Sequence, residues 1–419
     1  MFRSKLILIA AAAVIGLTLP WWGNSAFQNI MTKVYVAGLF AMSFNLLWGM
    51  SGLLSFGQAA YFGLGAFAAI FAMGPAVGIP LPFVPIAGGI AGMALGVVAG
   101  WVASKRSGIH FALITFAVAS LVASITYQWD DVFGGESGVR ARREDWLGLD
   151  FQSPQGVYLF VFVWLGLCLA AIWMIQQSPF GNVMKGIRDQ EERLAFLGYD
   201  THKAKTLSFA MASFFSGVAG ALLAVSNEAA SFSLFASHES TTVVLNTVIG
   251  GAGVFFGPMV GAAVTTLFGY YAGFYSSHWS LYLGLIFIAV VLFAPKGMTG
   301  TIMDAIRDPE LRSSASRNLA KRVVVVVSFA LSTVLLVEIV GTITTAAYQV
   351  QRQMARGGWP AVEVFGIEWA PFSPGTILAV LGGYVVCALL SGVWLPAARS
   401  RIAGLIGGGR SESAKGAAE

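Results

Sequence analysis

Few side chains in this sequence are placed to make or break covalent bonds. The four histidines, His110, His202, His238 and His278, lie at the ends of apolar runs or in polar loops, with none of the short His/Asp/Glu spacings that gather ligands round one metal ion. Cys168 and Cys387 each sit alone in an apolar run, which suits packed thiols and implies no disulfide framework. No G-x-x-x-x-G-K-[ST] run occurs, so the chain carries no phosphate-cradling loop of its own. What remains is the chemistry of polar groups where water is scarce. Gln58 and Asn246 each stand beside a glycine-rich interruption of an apolar run and offer both a donor and an acceptor. Glu338 is the one carboxylate well inside an apolar run, a functional candidate by default. Glu191 lies on the apolar stripe of a charged segment, where a carboxylate is wasted on solvent and costly against lipid.

The elements that must position these residues follow from composition. Of 419 residues, 57% are hydrophobic and 11% charged, and the mean hydropathy is +0.74. A water-soluble core has no surface to hide that much apolar matter, so the bilayer is the solvent. The expected fold is an all-α polytopic membrane protein with about ten transmembrane helices of roughly 20 residues each. The spans are placed at 6–20, 31–50, 54–73, 82–103, 109–128, 157–176, 206–226, 279–295, 323–347 and 375–395. The opening run resembles a signal peptide, but its length and the spans behind it favour retention as the first crossing. If the N-terminus is cytoplasmic, 19 of the 25 Lys and Arg residues fall in cytoplasmic segments, in keeping with the positive-inside rule. The basic balance then reports orientation, with both termini inside, and calls for no nucleic acid.

The stretch 241–275 does not fit one crossing, because the basic loop after Lys296 would then emerge on the wrong side. A re-entrant pair broken at Gly250, Gly251 and Gly253 returns the chain to its starting side. The second interruption is GMSGLLSFGQAAYFGLGAF, where Gly49, Gly52, Gly57, Gly63 and Gly65 interrupt a run that also carries Asn45, Ser51, Ser55 and Gln58. Free backbone groups at membrane depth must be buried in protein or line water, and paired interrupted segments mark a substrate route near the midplane. Asn45, Ser55, Gly57, Gln58, Asn246, Gly250, Gly251 and Gly253 are the pathway candidates, with helix-to-helix hydrogen bonding as the structural alternative for Gln58 and Asn246. Gly88, Gly92, Gly96 and Gly100 recur every four residues, which aligns them for close packing against another helix.

Residues 178–205 form a polar insertion built for a short amphipathic helix. Met184, Ile187, Glu191, Leu194 and Ala195 share one face, with Lys185, Arg188, Asp189, Glu192 and Arg193 on the other, and Gly198 is the expected stop. The two readings of this helix are a partner surface and an interfacial helix on anionic lipid.

Four blocks together carry a family resemblance: GLLSFGQAAYFGLGAF from Gly52; SGIHFALITFAVASLV with FGGESGV behind it; SPFGNVMKGIRDQEERLAFLGYDTHKAKTLSFAMASFFSGVAGALLA; and TVIGGAGVFFGPMVGAAV leading to LFAPKGMTG. The chain resembles the LivM-type permeases of bacterial branched-chain amino-acid ABC transporters. The resemblance implies an inner-membrane importer subunit with a permease core over 1–302, no cofactor, and no ATP hydrolysis of its own. It implies as partners two ATPase subunits, a second LivH-like permease chain and a periplasmic or lipid-anchored binding protein. It also implies that the third block couples to the ATPase through Arg188, Asp189, Glu191, Glu192, Leu194 and Gly198. The family places small residues after the glutamate, where this chain has Arg193 and Leu194. Leucine-like amino acids are the implied solute; urea or short amides, and an ion-coupled carrier, are the alternatives. The outer loop 130–150 mixes six acids with three arginines, which suits either transient docking of a soluble protein or plain solvation. Residues 303–419 depart from the resemblance and hold a polar linker, two further spans and a small-residue tail expected in the cytoplasm.

Overall fold

The computed structural model describes most of residues 24–391, apart from 308–327, 353–358 and isolated positions, together with Gly16 and Thr18 ahead of them. The expected span at 6–20, apart from Gly16 and Thr18, the linker after 307 and the tail beyond 391 therefore lie outside the described residues. The helices are α1 (Ser25–Ser51), α2 (Gln58–Met73), α3 (Val84–Ala103), α4 (Ile109–Gln128), α5 (Pro154–Gln177), α6 (Pro179–Phe196), α7 (Thr201–Asn227), α8 (Ser237–Gly250), α9 (Gly257–Tyr275), α10 (Trp279–Phe293), α11 (Gly297–Arg307), α12 (Leu331–Thr344) and α13 (Pro374–Ser391). Two-residue strands β1 (Val139–Arg140) and β2 (Ala229–Ala230) pair antiparallel, as do β3 (Val362–Val364) and β4 (Ile367–Trp369). Among the described residues, α1, α4, α5, α7 and the run Leu81–Ala103 that contains α3 are long and apolar enough to cross a bilayer. The chain divides into two compact units, 1–270 with 290–302, and 271–289 with 303–419.

Local sequence sets the helix ends. Ser153 and Ser178 each precede a proline, and their side chains accept the Gly156 and Gly181 N–H groups at 3.2 Å, a serine cap followed by proline at the first helical position. Asp200 caps α7 by accepting the Lys203 N–H at 3.0 Å. In the first unit α1 and α7 are the central helices, with 83% of each apolar window buried. In α3, α4 and α5 the corresponding figures are 39%, 28% and 33%. These three turn Ile90, Met93, Leu113, Phe116, Val163 and Leu167 outward, as lipid-facing surfaces do.

The tightest seam joins α3 to α7, and the glycine series makes it possible. A Cβ on Gly92 would stand 2.6 Å from the Ser213 carbonyl oxygen, and one on Gly100 2.9 Å from the Phe209 Cβ. Gly217 answers from α7, its Cα facing the Gly88 carbonyl and the Gly92 Cα. Without a hydrophobic drive between helices in lipid, such backbone proximity supplies the dispersion energy of association. Gly63 and Gly65, expected as interruptions, lie within α2 instead; Gly65 abuts Gly217 and Gly63 abuts the Phe235 ring. Gly49 likewise falls inside α1. In each of these positions glycine serves contact and leaves the helix intact.

In the second unit, Glu338 on α12 accepts hydrogen bonds from the Ser276 and Tyr282 hydroxyls and faces His278 Nδ1 at 3.7 Å. The span sequences suggested no basic partner for this acid, because His278 lies in the turn before α10 and comes near only through folding.

Gly217→Val is expected to destabilise the detergent-solubilised protein by about 1–3 kcal/mol or more, since its side chain meets backbone that cannot yield. Gly166→Val on α5, where no described residue lies within 4 Å, should leave the melting temperature near that of the parent protein. Thermal unfolding monitored by fluorescence-detected gel filtration compares the two.

Candidate functional site

The first break begins where α1 ends. Gly52 adopts φ 71° and its N–H bonds the Trp48 carbonyl, a left-handed helix stop that a side chain would strain. Residues 52–57 then run without helix to Gln58, a length that spans up to about 20 Å when extended. The segment climbs from Arg188, against which Gly52 lies, to the Thr115 carbonyl on α4, which Gly57 touches. Serines bond the chain at its upper end. The Gly57 N–H bonds Ser55 Oγ at 3.3 Å, Ser216 Oγ donates to the Gln58 carbonyl at 3.3 Å, and the Ala59 N–H bonds Ser240 Oγ at 3.0 Å. That last contact brings the N-terminus of α2 against the N-terminus of α8. The positive ends of two helix dipoles therefore meet inside the bundle.

The second break is a hairpin, as the sequence suggested for 241–275. α8 and α9 fold back on one another with Gly250 against Gly257 and Gly261, and the tip between them starts at Gly251, φ 104°. Asn246 Oδ1 accepts from Thr265 Oγ1 at 2.5 Å, so it binds α8 to α9, which is the structural alternative for this residue. Thr299 Oγ1 donates to the Gly250 carbonyl at 2.5 Å, and the Ala252 carbonyl approaches Gly49. The two breaks thus converge at the end of α1.

The pathway candidates divide accordingly. Asn45, Gly250 and Gly251 gather near Gly49, while Ser55, Gly57 and Gln58 form the upper end of the extended segment; a Cβ on Gly253 would meet no described residue within 4 Å. Gln58 is fully buried, and neither polar atom of its side chain has a partner among the described residues. Asn45 Oδ1 is in the same state. Glu239, in the first turn of α8 and beside these helix ends, escaped the sequence reading because it stands just outside the apolar run.

The amphipathic segment is α6, and it is not one straight helix: Gln190 at φ −160°, ψ 97° breaks it. The break turns the second half, so Met184, Ile187 and Leu194 are buried while Ala195 is exposed. Gly198, φ 87°, ends it as expected. Arg188 Nη1 donates to the Gly49 carbonyl at 2.7 Å, capping the negative end of α1. Glu191 points inward as well. Its Oε1 meets Lys205 Nζ at 2.5 Å, and its Oε2 accepts from Ser107 Oγ at 2.8 Å. Burial pushes this carboxyl up, but the hydrogen bonds from Lys205 and Ser107 and the ammonium charge outweigh it and hold it below the usual carboxylate range. The bond is therefore complete at neutral pH and is lost only as pH falls through that lowered value. Asp189 and Glu192 remain exposed, and beyond them Phe196 and Leu197 are 91% and 70% exposed. Lys205 was missed as a partner although its spacing from Ser208, Phe209 and Ala212 put it on the buried face of α7.

Comparisons place this geometry in a lineage. A family model described as "Branched-chain amino acid transport system / permease component" matches residues 26–295. The high-affinity branched-chain amino acid transport system permease protein LivM of Escherichia coli (strain K12) is 23% identical over 322 residues, covering 71% of this chain and 75% of that protein. The protein of the same description from Salmonella typhimurium is 22% identical over 325 residues, with the same coverage. No solved structure matches the chain. With both breaks and α6 inside the matched region, the chain belongs to the branched-chain amino acid transport permease family.

Proposed function

We propose that this chain is one of two membrane subunits of an ATP-driven importer, moving branched-chain or related hydrophobic amino acids across the inner membrane into the cytoplasm. In this reading the face carrying Lys105, Arg106, Arg188 and Lys205 is cytoplasmic, two ATPase subunits dock beneath it, and a binding protein delivers solute from outside. The observation that carries the reading is the Arg188 bond to Gly49. It ties the loop helix to the end of a transmembrane span at the point where that span gives way to an extended segment. A force on α6 then acts directly on the break.

Within α6, Asp189, Glu192 and the Gly198 turn face outward toward the ATPase, and Leu194 braces the second half over Gly186. Phe196 and Leu197 are the apolar anchors, because large hydrophobic side chains held in water at a helix end suit a partner groove. Glu191 and Arg188 work inward. On the solute side, the meeting ends of α2 and α8 favour a carboxylate, and Glu239 offers a counter-charge to an ammonium. A zwitterion has both groups. Urea and short amides have neither, which favours an amino acid.

Uptake by the complex in proteoliposomes should require ATP and should stop when ATP is withheld with the ion gradients intact; uptake that continues would overturn the reading. Phe196→Asp should weaken retention of the ATPase subunits at least about thirtyfold, the loss of an anchor of about 2 kcal/mol, measured by co-purification against dilution. Glu239→Gln should raise the apparent KM for leucine-like solutes about tenfold with little change in ATPase recovery, whereas a neutral amide substrate would show no such rise.

A further inference from the structure

Beyond its break at Gln190, the second half of α6 meets the transmembrane helices through a polar triangle. Lys205 Nζ lies 2.5 Å from Glu191 Oε1 and donates to Ser107 Oγ at 2.8 Å, and Ser107 Oγ donates to Glu191 Oε2 at 2.8 Å. The Lys205 side chain is 3% exposed, so its ammonium is withheld from water and held by these two groups. An open cavity of about 580 Å³ lies alongside, lined by Lys105, Arg106, Glu191, Thr201, His202 and Lys205 among others. Where a cavity replaces packed side chains, the electrostatic bond is the mechanical link.

The far side of that link is stiff. Ser104, at the end of α3, bonds both His202 Nδ1 at 2.8 Å and Thr206 Oγ1 at 2.9 Å on the first turns of α7. Above them the glycine seam locks α3 to α7 backbone to backbone. A close-packed pair of helices moves as one body. Eleven residues up α7 from Lys205, about 16 Å along the axis, Ser216 holds the Gln58 carbonyl at the upper end of the extended segment.

We infer that Lys205 is a positioning residue for transport: through Glu191 it hitches the ATPase-facing loop helix to the α3–α7 pair, and so carries displacement of α6 to the Gln58 end of the break. This rests on the importer reading above and adds to it a second grip, distinct from Arg188, which holds the lower end. The loop helix therefore grasps the extended segment at both ends, one directly and one by way of α7.

The test uses the assembled complex in proteoliposomes and reads solute taken up per ATP hydrolysed, alongside ATPase recovery per permease. Lys205→Met keeps the aliphatic stem and removes the charge, leaving Glu191 with Ser107 and partial access to water. It should recover the ATPase at the parent level yet lower uptake per ATP at least about tenfold, whereas Lys205→Arg should stay within about threefold of the parent. The exchanged pair Glu191→Lys with Lys205→Glu should regain most of the ratio. A folded Lys205→Met with the parent ratio overturns the inference, as does an exchanged pair no better than the single change. Should melting show Lys205→Met to be unfolded, the exchanged pair decides alone, a regained ratio supporting the hitch and a lost ratio refuting it. Failure of the unaltered chain to hold any ATPase would instead defeat the importer reading, and is seen before any variant is made.

Discussion

Hydrocarbon offers backbone amides nothing to bond, and this constraint orders the first unit. A helix pairs its own N–H and C=O groups; the six residues from Gly52 to Gly57 stand outside helix, and neighbouring groups bond the chain at both ends of the break. Ser55, Ser216 and Ser240 bond the upper end of the segment, and Arg188 bonds the carbonyl at the lower end of α1. These donors and acceptors come from α6, α7, α8 and the segment itself. An extended passage at this depth exists only while those elements stay in place, which makes it responsive to their movement.

The same constraint explains the division of labour among the glycines. At Gly52 and Gly251 the backbone takes a positive φ that other residues resist, and there glycine turns the chain. Along α3 and at Gly217 it does something else, bringing two helices so close that side chains would overlap backbone. The first kind makes a break and the second makes a rigid pair beside it. In this chain the two kinds adjoin.

Charge is placed with similar economy. The outward side of α6 keeps Asp189 and Glu192 in water, while Arg188 and Glu191 turn to the membrane helices. Removing Glu191 would leave the buried Lys205 ammonium with little water to receive it. At the far end of α7 Arg143 meets Glu228 at 3.1 Å, next to the short β1–β2 pairing that ties the acidic 130–150 loop to the turn after α7. In the second unit the acid Glu338 is likewise furnished with donors, so its burial is accounted for without assigning it a role in transport.

Much of this was legible in the residues. Apolar length alone determines which segments cross, because only a helix of about 20 residues satisfies its backbone over that thickness, and α4 and α5 fall at or within a few residues of the expected spans. The four-residue spacing in α3 foretold its packed seam, and GGAG foretold a hairpin. What sequence could not decide was which of two legitimate meanings a residue took. Gly65 and Gly52 belong to one glycine-rich run, yet one packs and one turns; Asn246 and Gln58 have the same chemistry, yet Thr265 bonds the first and no group among the described residues bonds the second. Glu191 implied a partner surface, whereas its carboxylate, in the half of α6 beyond the Gln190 kink, turns inward to Lys205, fourteen residues on. Periodicity reports which face of one helix is apolar; the identity of the group opposite depends on helix crossings and kinks, which only the tertiary packing sets.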